Sequence, residues 1–154
     1  MREKFNEYVI EFLEIVCQIF MNNPLSELLY SLEVLVGCLG KDPNLSQIFT
    51  KAYEIISEST LNFMDKKDFK EHDELLEDFF GLLFRYTKYM PSVILSSRTL
   101  ETNLKLAELS LGINQPNVEK TLFLFLEYIF KLCNANPRND MEKVNLTKIV
   151  DVEF

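Results

Sequence analysis

The residues with the clearest capacity for chemistry stand together near the middle of the chain, where its one histidine is followed closely by four acids. An imidazole beside carboxylates can bind a metal ion or transfer protons. The acids could instead stabilise a helix, because negative charge in its first turn interacts favourably with the positive end of the macrodipole. A third possible role of the acids is to form a surface that binds a basic partner. The residues are His72, Asp73, Glu74, Glu77 and Asp78.

A metal or catalytic centre at this segment lacks the partners that its chemistry requires. Zinc needs three or four ligands from more than one element, and the sequence has no second histidine and no closely spaced cysteine pair. The Glu-x-x-His motif of di-iron bundles is missing, because Phe69 stands three residues before His72. No phosphate-binding glycine loop, G-x-S-x-G elbow or H-E-x-x-H motif occurs elsewhere. The sequence therefore predicts no catalytic residue, no metal ligand and no cofactor, and it favours helix stabilisation as the role of the acids.

Composition and charge narrow the class of protein further. The 154 residues are 47% hydrophobic but include only four glycines and five prolines, which favours long helices joined by short turns. The net charge of -8 argues against nucleic-acid binding, because an acidic surface repels phosphates. The same charge is compatible with a basic protein partner, or with solubility alone. No apolar run reaches the ~20 residues of a membrane span, so we expect no membrane insertion.

The three cysteines are far apart, and each falls within an apolar run. They are Cys17, Cys38 and Cys133. Three thiols cannot all pair within one chain, and no metal-binding spacing is present. We therefore predict reduced thiols in the core of a cytosolic or nuclear protein.

Prolines divide the chain into segments that each show helical periodicity. They occur at 24, 43, 91, 116 and 137. The longest interval between them, from 43 to 91, is interrupted by the polar run DKKDFKEHD at 65–73. Proline ends one helix and fits the first turn of the next. Asp42-Pro43 therefore predicts an N-cap and a first helical residue, and Gly40 a left-handed C-cap. Apolar spacing predicts helices at 3–21, 25–39, 43–64, 72–90, 92–111 and 117–133, with a weaker one at about 140–150.

Several predicted helices are apolar on more than one side. A helix with a wide apolar sector packs against more than one neighbour, either around one centre in a bundle or along a row in a solenoid. The near-regular spacing favours the solenoid, because two helices give a unit of about 40–47 residues, as in HEAT or armadillo repeats. We predict an all-α fold, an antiparallel helix-pair solenoid that forms one segment over 1–154 of a longer row. The pairs are 3–39, 43–90 and 92–133, and 140–150 would begin a further repeat.

Five stretches of the chain, in this order, resemble the C-terminal half of receptors of the importin-β (karyopherin-β) superfamily. They are LLYSLEVLVGCLG, a helix that ends in STLNFM, HDELLEDFFGLLFRYTKYMPSVILSS, ETNLKLAELSLGIN and NVEKTLFLFLEYIF. The resemblance is greatest to the transportin-SR and importin-13-like branch and covers roughly residues 20–135. A helix of that branch opens with His and an acid, continues with an acidic and aromatic patch and a basic residue, and ends at Pro. The matching positions are His72, Asp73, Asp78, Phe79, Phe80, Arg85, Pro91 and Ile94-Leu95.

This resemblance implies a segment of a nuclear transport receptor that binds and flexes without catalysis. The implied partners are a cargo protein, basic if it meets the acids, the Ran GTPase and nucleoporins, and the implied location is a shuttle between cytoplasm and nucleus. In such a superhelix the second helix of each pair lines the concave side, and its polar residues face the partner. In the first pair these residues would be Glu27, Tyr30 and Glu33. The candidate interaction face is Asp73, Glu77, Asp78, Arg85, Lys88, Glu119, Glu127 and Lys131. The alternative is that these residues only form the solvated side of their helices and bind no partner.

Two other classes stay open at this point. One is an unrelated helical-repeat scaffold or adaptor, of the vesicle-coat or translation-factor type. The other is a compact helical bundle that acts as an enzyme or carries a ligand. Binding of Ran and cargo separates the first class from a transport receptor. A stoichiometric metal or cofactor in the purified protein would indicate the second.

Overall fold

Helices account for all the regular secondary structure in the part of the chain that the structure describes. The structure is a computed structural model and describes residues 1–66 and 71–134. Within these ranges the all-α prediction is confirmed, and the predicted element at 140–150 lies outside them. The seven helices of the described ranges are α1 Arg2–Asn22, α2 Ser26–Leu39, α3 Ser46–Lys66, α4 Asp73–Tyr89, α5 Pro91–Leu95, α6 Leu100–Ser110 and α7 Pro116–Asn134, and a 3-10 turn spans Pro43–Leu45.

The ends of the helices follow the predicted punctuation in most places. Pro91 and Pro116 are the first residues of α5 and α7, where proline loses no hydrogen bond. The Asp42 carboxylate accepts from the backbone N–H of Asn44 at 3.0 Å, so it caps as predicted, although it caps the 3-10 turn before α3. The predicted left-handed cap at Gly40 is wrong, because its φ is -61°. Gly40 instead permits close packing, since an added Cβ would lie 3.3 Å from the Met90 side chain.

The predicted helix at 92–111 is wrong as a single element, because the chain forms α5, a turn and then α6. The break coincides with hydroxyl side chains that compete for backbone hydrogen bonds. The Ser97 hydroxyl accepts from the backbone N–H of Thr99 at 3.1 Å, and the two hydroxyl oxygens lie 2.9 Å apart. Both residues are buried. The periodicity of apolar residues continues through this turn and therefore does not reveal it.

The helices α2, α4 and α7 lie side by side and run in the same direction. The contacts between neighbouring helices advance in the same direction along both helices. The Arg85 Nε of α4 lies 3.4 Å from a carboxylate oxygen of Glu33 on α2, and further along Gly40 meets Met90. Between α4 and α7, the Phe84 and Tyr128 rings lie 5.0 Å apart. We call these three helices the second layer.

The helices α1, α3 and α6 form the first layer and are also parallel to one another. The Arg2 guanidinium lies 3.4 Å from Asp42 at the start of α1 and α3, and Cys17 and Lys51 later line one shallow groove. The Ser57 hydroxyl of α3 lies close to the Asn103 amide of α6. The two layers are antiparallel. Phe63, near the end of α3, contacts His72 at the start of α4, and Tyr86, near the end of α4, contacts Phe49 near the start of α3.

The core lies between the two layers and is rich in aromatic side chains. The buried Tyr86 hydroxyl donates to the Phe49 carbonyl oxygen at 2.7 Å, which satisfies a polar group that burial would otherwise penalise. A second polar group, between α3 and α6, joins Tyr53, Ser57, Thr99 and Asn103. The largest fully buried aromatic residues are Phe20, Phe49, Tyr53, Phe79, Phe80, Tyr86 and Phe125.

The cysteines differ from one another in their surroundings. Cys17 is buried as predicted, and burial raises the pKa of its thiol to about 11, which disfavours the reactive thiolate. The prediction for Cys38 is wrong, because this residue lies on the exposed side of α2. The side chain of Cys133 lies outside the described part of the chain.

The outer side of α1 carries a row of exposed apolar side chains. The helical spacing of Phe5 and Phe12 with Val9 and Val16 predicts that all four are buried, but Phe5 and Phe12 are 52% and 46% exposed, so the prediction is wrong for these two. Only the adjacent stripe of α1, through Leu13 and Phe20, packs into the core. Within the described structure, neighbouring helices therefore cover only about half of the wide apolar sector of α1. The row consists of Phe5, Tyr8, Phe12, Ile15 and Ile19.

Candidate functional site: the outer face of the second layer

All eight candidate residues lie on α4 or α7, in the second layer, and none of them is fully buried. Because α2, α4 and α7 are parallel, their N-terminal ends meet at one edge of the layer and their C-terminal ends at the other. Along this face most acids of α2 and α4 lie toward the first edge, and most of the basic residues named below lie toward the second, where Glu127 of α7 is also present. We call Glu27, Glu33, Glu74, Glu77 and Asp78 the acidic end; Lys41, Phe84, Arg85, Lys88, Tyr89, Tyr128 and Lys131 are the basic aromatic end.

The acidic end holds like charges close to one another. Burial, followed by the neighbouring carboxylates with Glu77 first among them, raises the pKa of the Asp78 carboxyl to about 6. Burial also raises the pKa of Glu33, although the Arg85 guanidinium opposes this shift. A carboxylate that is both desolvated and surrounded by negative charge is stabilised by any added cation. The acidic end is therefore suited to a positively charged ligand.

The histidine has a packing role. His72 precedes the first residue of α4, and its side chain makes no capping hydrogen bond. Its ring instead meets Phe63 edge-on, with the centroids 5.0 Å apart. A cleft of about 330 Å³ lies beside it and is lined by acids that include Glu27, Asp73 and Glu74. Over residues 1–66 and 71–134, no three His, Cys, Asp or Glu side chains converge as metal ligands would, and no helix is long and apolar enough to cross a bilayer.

The basic aromatic end interleaves cations with rings from α4, α7 and the turn after α2. Lys41, just after α2, lies 5.8 Å from the Tyr89 ring centre, and Lys88 lies 5.4 Å from the same ring. Lys88 also lies 6.0 Å from the Phe84 ring. On α7, Lys131 lies 5.1 Å from the centre of Tyr128. Cations at this distance from aromatic faces are attracted by the ring quadrupole.

One glycine connects the two ends of the face. An added Cβ at Gly81 would lie 2.9 Å from a carboxylate oxygen of Glu33, so the missing side chain lets this carboxylate lie over α4. In that position Glu33 pairs with Arg85. An isolated glycine inside an amphipathic helix was a signal of close approach that the sequence contained.

Sequence reasoning found the charged residues of α4 and α7 but missed what joins them. Among the candidates, Glu127 pairs with Lys131 four residues later at 3.0 Å, and Glu119 lies in the first turn of α7. Lys41 and the three rings of the basic aromatic end were not predicted as part of the face. Tyr89 and Tyr128 carry no local signal that distinguishes them from core residues, because helical spacing alone does not show which neighbour a ring meets.

Replacement of Asp78 by Asn is expected to make the free energy of unfolding less sensitive to pH. The folded-state pKa of Asp78 is about 6, above the unfolded value of about 4, so the folded chain binds this proton more tightly. Ionisation between these two pH values therefore destabilises the native protein. Asp78→Asn should raise stability at neutral pH by less than about 1 kcal/mol, because solvent screens the site, and the gain should vanish below about pH 4.

Urea unfolding at several pH values measures this effect. Glu108→Gln, which removes one negative charge from an exposed site on α6, is the matched control and should show no comparable change with pH. A gain for Asp78→Asn that persists unchanged at low pH would show that ionisation is not its cause.

No protein-family model matches the chain, and no curated protein is significantly similar to it.

Proposed function

We propose that the chain is a protein-binding segment of a nuclear transport receptor of the importin-β type. The observation that carries the proposal is the order of packing: α2, α4 and α7 are parallel neighbours, and so are α1, α3 and α6. Stacked antiparallel helix pairs produce this order, because each pair packs on the next. The stretches that resemble the importin-β superfamily include α4 and α7, two of the helices that form the candidate face.

In the proposed arrangement the helix pairs form a solenoid, and further helix pairs pack against its end helices. The exposed row on α1 supports this proposal, because apolar side chains at the end of a row are suited to an adjoining helix pair. In a solenoid each pair touches only its neighbours, so small rotations between pairs accumulate into a change of curvature. Partner binding then selects among curvatures, and no residue needs to perform chemistry.

The proposed partners are a basic cargo protein, Ran and nucleoporins, with the chain shuttling between cytoplasm and nucleus. The acidic end would receive the cargo, because a positive segment relieves the repulsion among its carboxylates. Single exposed ion pairs contribute about 0.2–1 kcal/mol, so affinity would come from several contacts and fall with salt. The negative field of the chain would also accelerate association.

The second candidate function is a helical-repeat adaptor outside nuclear transport. The charge division of the face favours it, because a surface with an acidic and a basic end offers places for two partner chemistries. The two functions differ in one requirement: a transport receptor responds to GTP-loaded Ran and an adaptor of another pathway does not.

The test measures binding of a fluorescent lysine-rich peptide by anisotropy. The double change Glu74→Lys and Glu77→Lys is expected to weaken binding about tenfold, since two favourable pairs become repulsive. Glu11→Lys with Glu108→Lys changes the net charge equally on the first layer and should leave the affinity within about twofold. GTP-loaded Ran, but not GDP-loaded Ran, should displace the peptide.

Equal weakening by both pairs of substitutions would contradict recognition by the acidic end. Peptide binding that is insensitive to GTP-loaded Ran would contradict the transport function and support the adaptor.

A further inference from the structure

We infer that the basic aromatic end binds a short acidic peptide segment of a partner protein. The inference rests on the proposed use of this face for protein binding, and it assigns the opposite end of the face a partner of opposite charge. Its occupant is an extended stretch of aspartate and glutamate that contains apolar side chains. Three features of this end favour such an occupant: cations that lack carboxylate partners, aromatic rings beside these cations, and the limited extent of the positive surface.

The first feature is positive charge that the described protein leaves uncompensated. Arg85 and Lys131 each have a carboxylate partner, Glu33 at 3.4 Å and Glu127 at 3.0 Å. Lys41 and Lys88 are exposed, and no carboxylate among the described residues lies within ion-pair distance of either. The whole chain has 24 acids and 16 basic residues, so two such lysines around one ring depart from its general charge. This excess favours an anionic ligand.

The second feature is the aromatic surface that the cations surround. The centre of the Tyr89 ring lies 5.8 Å from the Lys41 Nζ and 5.4 Å from the Lys88 Nζ. Phe84 and Tyr128, with centroids 5.0 Å apart, extend this surface from α4 to α7. All three rings are half-buried, so each presents an accessible part from a fixed position. Rings held in this way suit the apolar side chains of a peptide, whose carboxylates would meet the ammonium groups.

The helix dipole explains only part of this arrangement. Lys88 and Lys131 lie in the last turns of α4 and α7, where positive charge is stabilised by the negative end of the macrodipole. That effect accounts for cations at the edge of the layer. It does not require three aromatic rings from two helices to form one surface beneath them.

The third feature is the short extent of the positive surface, which favours a peptide over a nucleic acid. From the C-terminal end of α4 toward its N-terminal end, Arg85 is the last basic residue. Asp78 and Glu77 lie about two turns beyond it. A continuous polyanion that extends along the face would meet these carboxylates and be repelled. A peptide can place its acids at one end of the face and neutral or basic residues at the other.

Fluorescence anisotropy with three probes tests the inference on the full chain. The probes are a short peptide that alternates glutamate with leucine, its lysine counterpart, and a single-stranded DNA of the same charge as the acidic peptide. The acidic peptide is expected to bind, and Lys41→Glu with Lys88→Glu should weaken it about tenfold. Lys4→Glu with Lys51→Glu makes the same charge change at exposed sites of the first layer and should alter binding less than twofold.

Three results would overturn the inference: no binding of the acidic peptide, equal weakening by the two pairs of substitutions, or binding of the DNA as tight as that of the peptide. The lysine peptide keeps this failure distinct from failure of the proposed function. If it binds and responds to Glu74→Lys with Glu77→Lys while the acidic peptide does not bind, the proposed function stands and the inference alone fails.

Discussion

Phe80→Ala is expected to reduce the free energy of unfolding by about 3–5 kcal/mol, the largest effect of any substitution that we predict. Phe80 is fully buried on α4, with ring centroids 6.1 Å from Phe79 and 6.4 Å from Phe125 of α7. Its removal takes away apolar contacts and leaves a cavity between the two helices that form most of the candidate face. Urea-induced unfolding, followed by circular dichroism at neutral pH, measures the change.

Phe123→Ala is the matched control, because it removes the same atoms from α7 at a site that is 56% exposed. Its effect should stay within about 0.5 kcal/mol. If both substitutions reduce the free energy of unfolding equally, α4 and α7 do not pack against each other through a buried Phe80. Such a result would also remove the physical basis of the face, since α4 and α7 would not be held side by side.

Asn103→Ala is expected to cost about 2–3 kcal/mol, because it removes one member of a buried polar group. The Asn103 amide nitrogen donates to the Tyr53 hydroxyl at 3.1 Å and to the Ser57 hydroxyl at 3.2 Å. Both acceptors are buried and have no ready access to water. Loss of the amide leaves them with fewer partners and leaves a small cavity between α3 and α6.

The neighbouring exposed Thr102 provides the control. Thr102→Ala should change stability by no more than about 0.5 kcal/mol, and Asn103→Ala should be compared with it in the same unfolding series. An Asn103→Ala protein as stable as its control would mean that α3 and α6 are not joined by this hydrogen-bonded group.

The fold class could be predicted from sequence because apolar residues recur with helical spacing in nearly every segment. In α4, the run from Leu76 through Phe80 to Tyr86 marks the buried side without ambiguity. The beginnings of α5 and α7 were predictable for a different reason, since proline has few other places in a helical protein. These signals are local, and local physics determines them.

The errors arise where tertiary contacts decide. Hydrogen bonds among Ser97, Thr99 and their neighbours divide the predicted helix at 92–111, although the apolar spacing continues through the break. On α1, Phe5 and Phe12 have the spacing of core residues but lie exposed, because the described neighbours cover only one half of a wide apolar sector. The spacing of apolar residues along a helix shows which of them can be buried on one side. The number of neighbouring helices determines which of them are buried.

The candidate face shows the same division between local and tertiary information. Charges on α4 and α7 could be placed on the outer side of their helices from spacing alone. Their separation into an acidic and a basic aromatic end depends on three helices being parallel and adjacent, and no single segment contains that information. Lys41 is the clearest example, because it belongs to the face through Tyr89 of another helix.

We propose that the outer side of α2, α4 and α7 is a surface that binds charged protein segments. Nuclear magnetic resonance of the ¹⁵N-labelled chain, titrated with the lysine-rich peptide, locates the residues that take part in this binding. We expect shifted amide signals along the outer side of the second layer, centred on Glu74, Glu77 and Asp78, with the signals of α1, α3 and α6 unchanged. Shifts concentrated on the first layer, or none at concentrations that saturate other basic-peptide receptors, would contradict it.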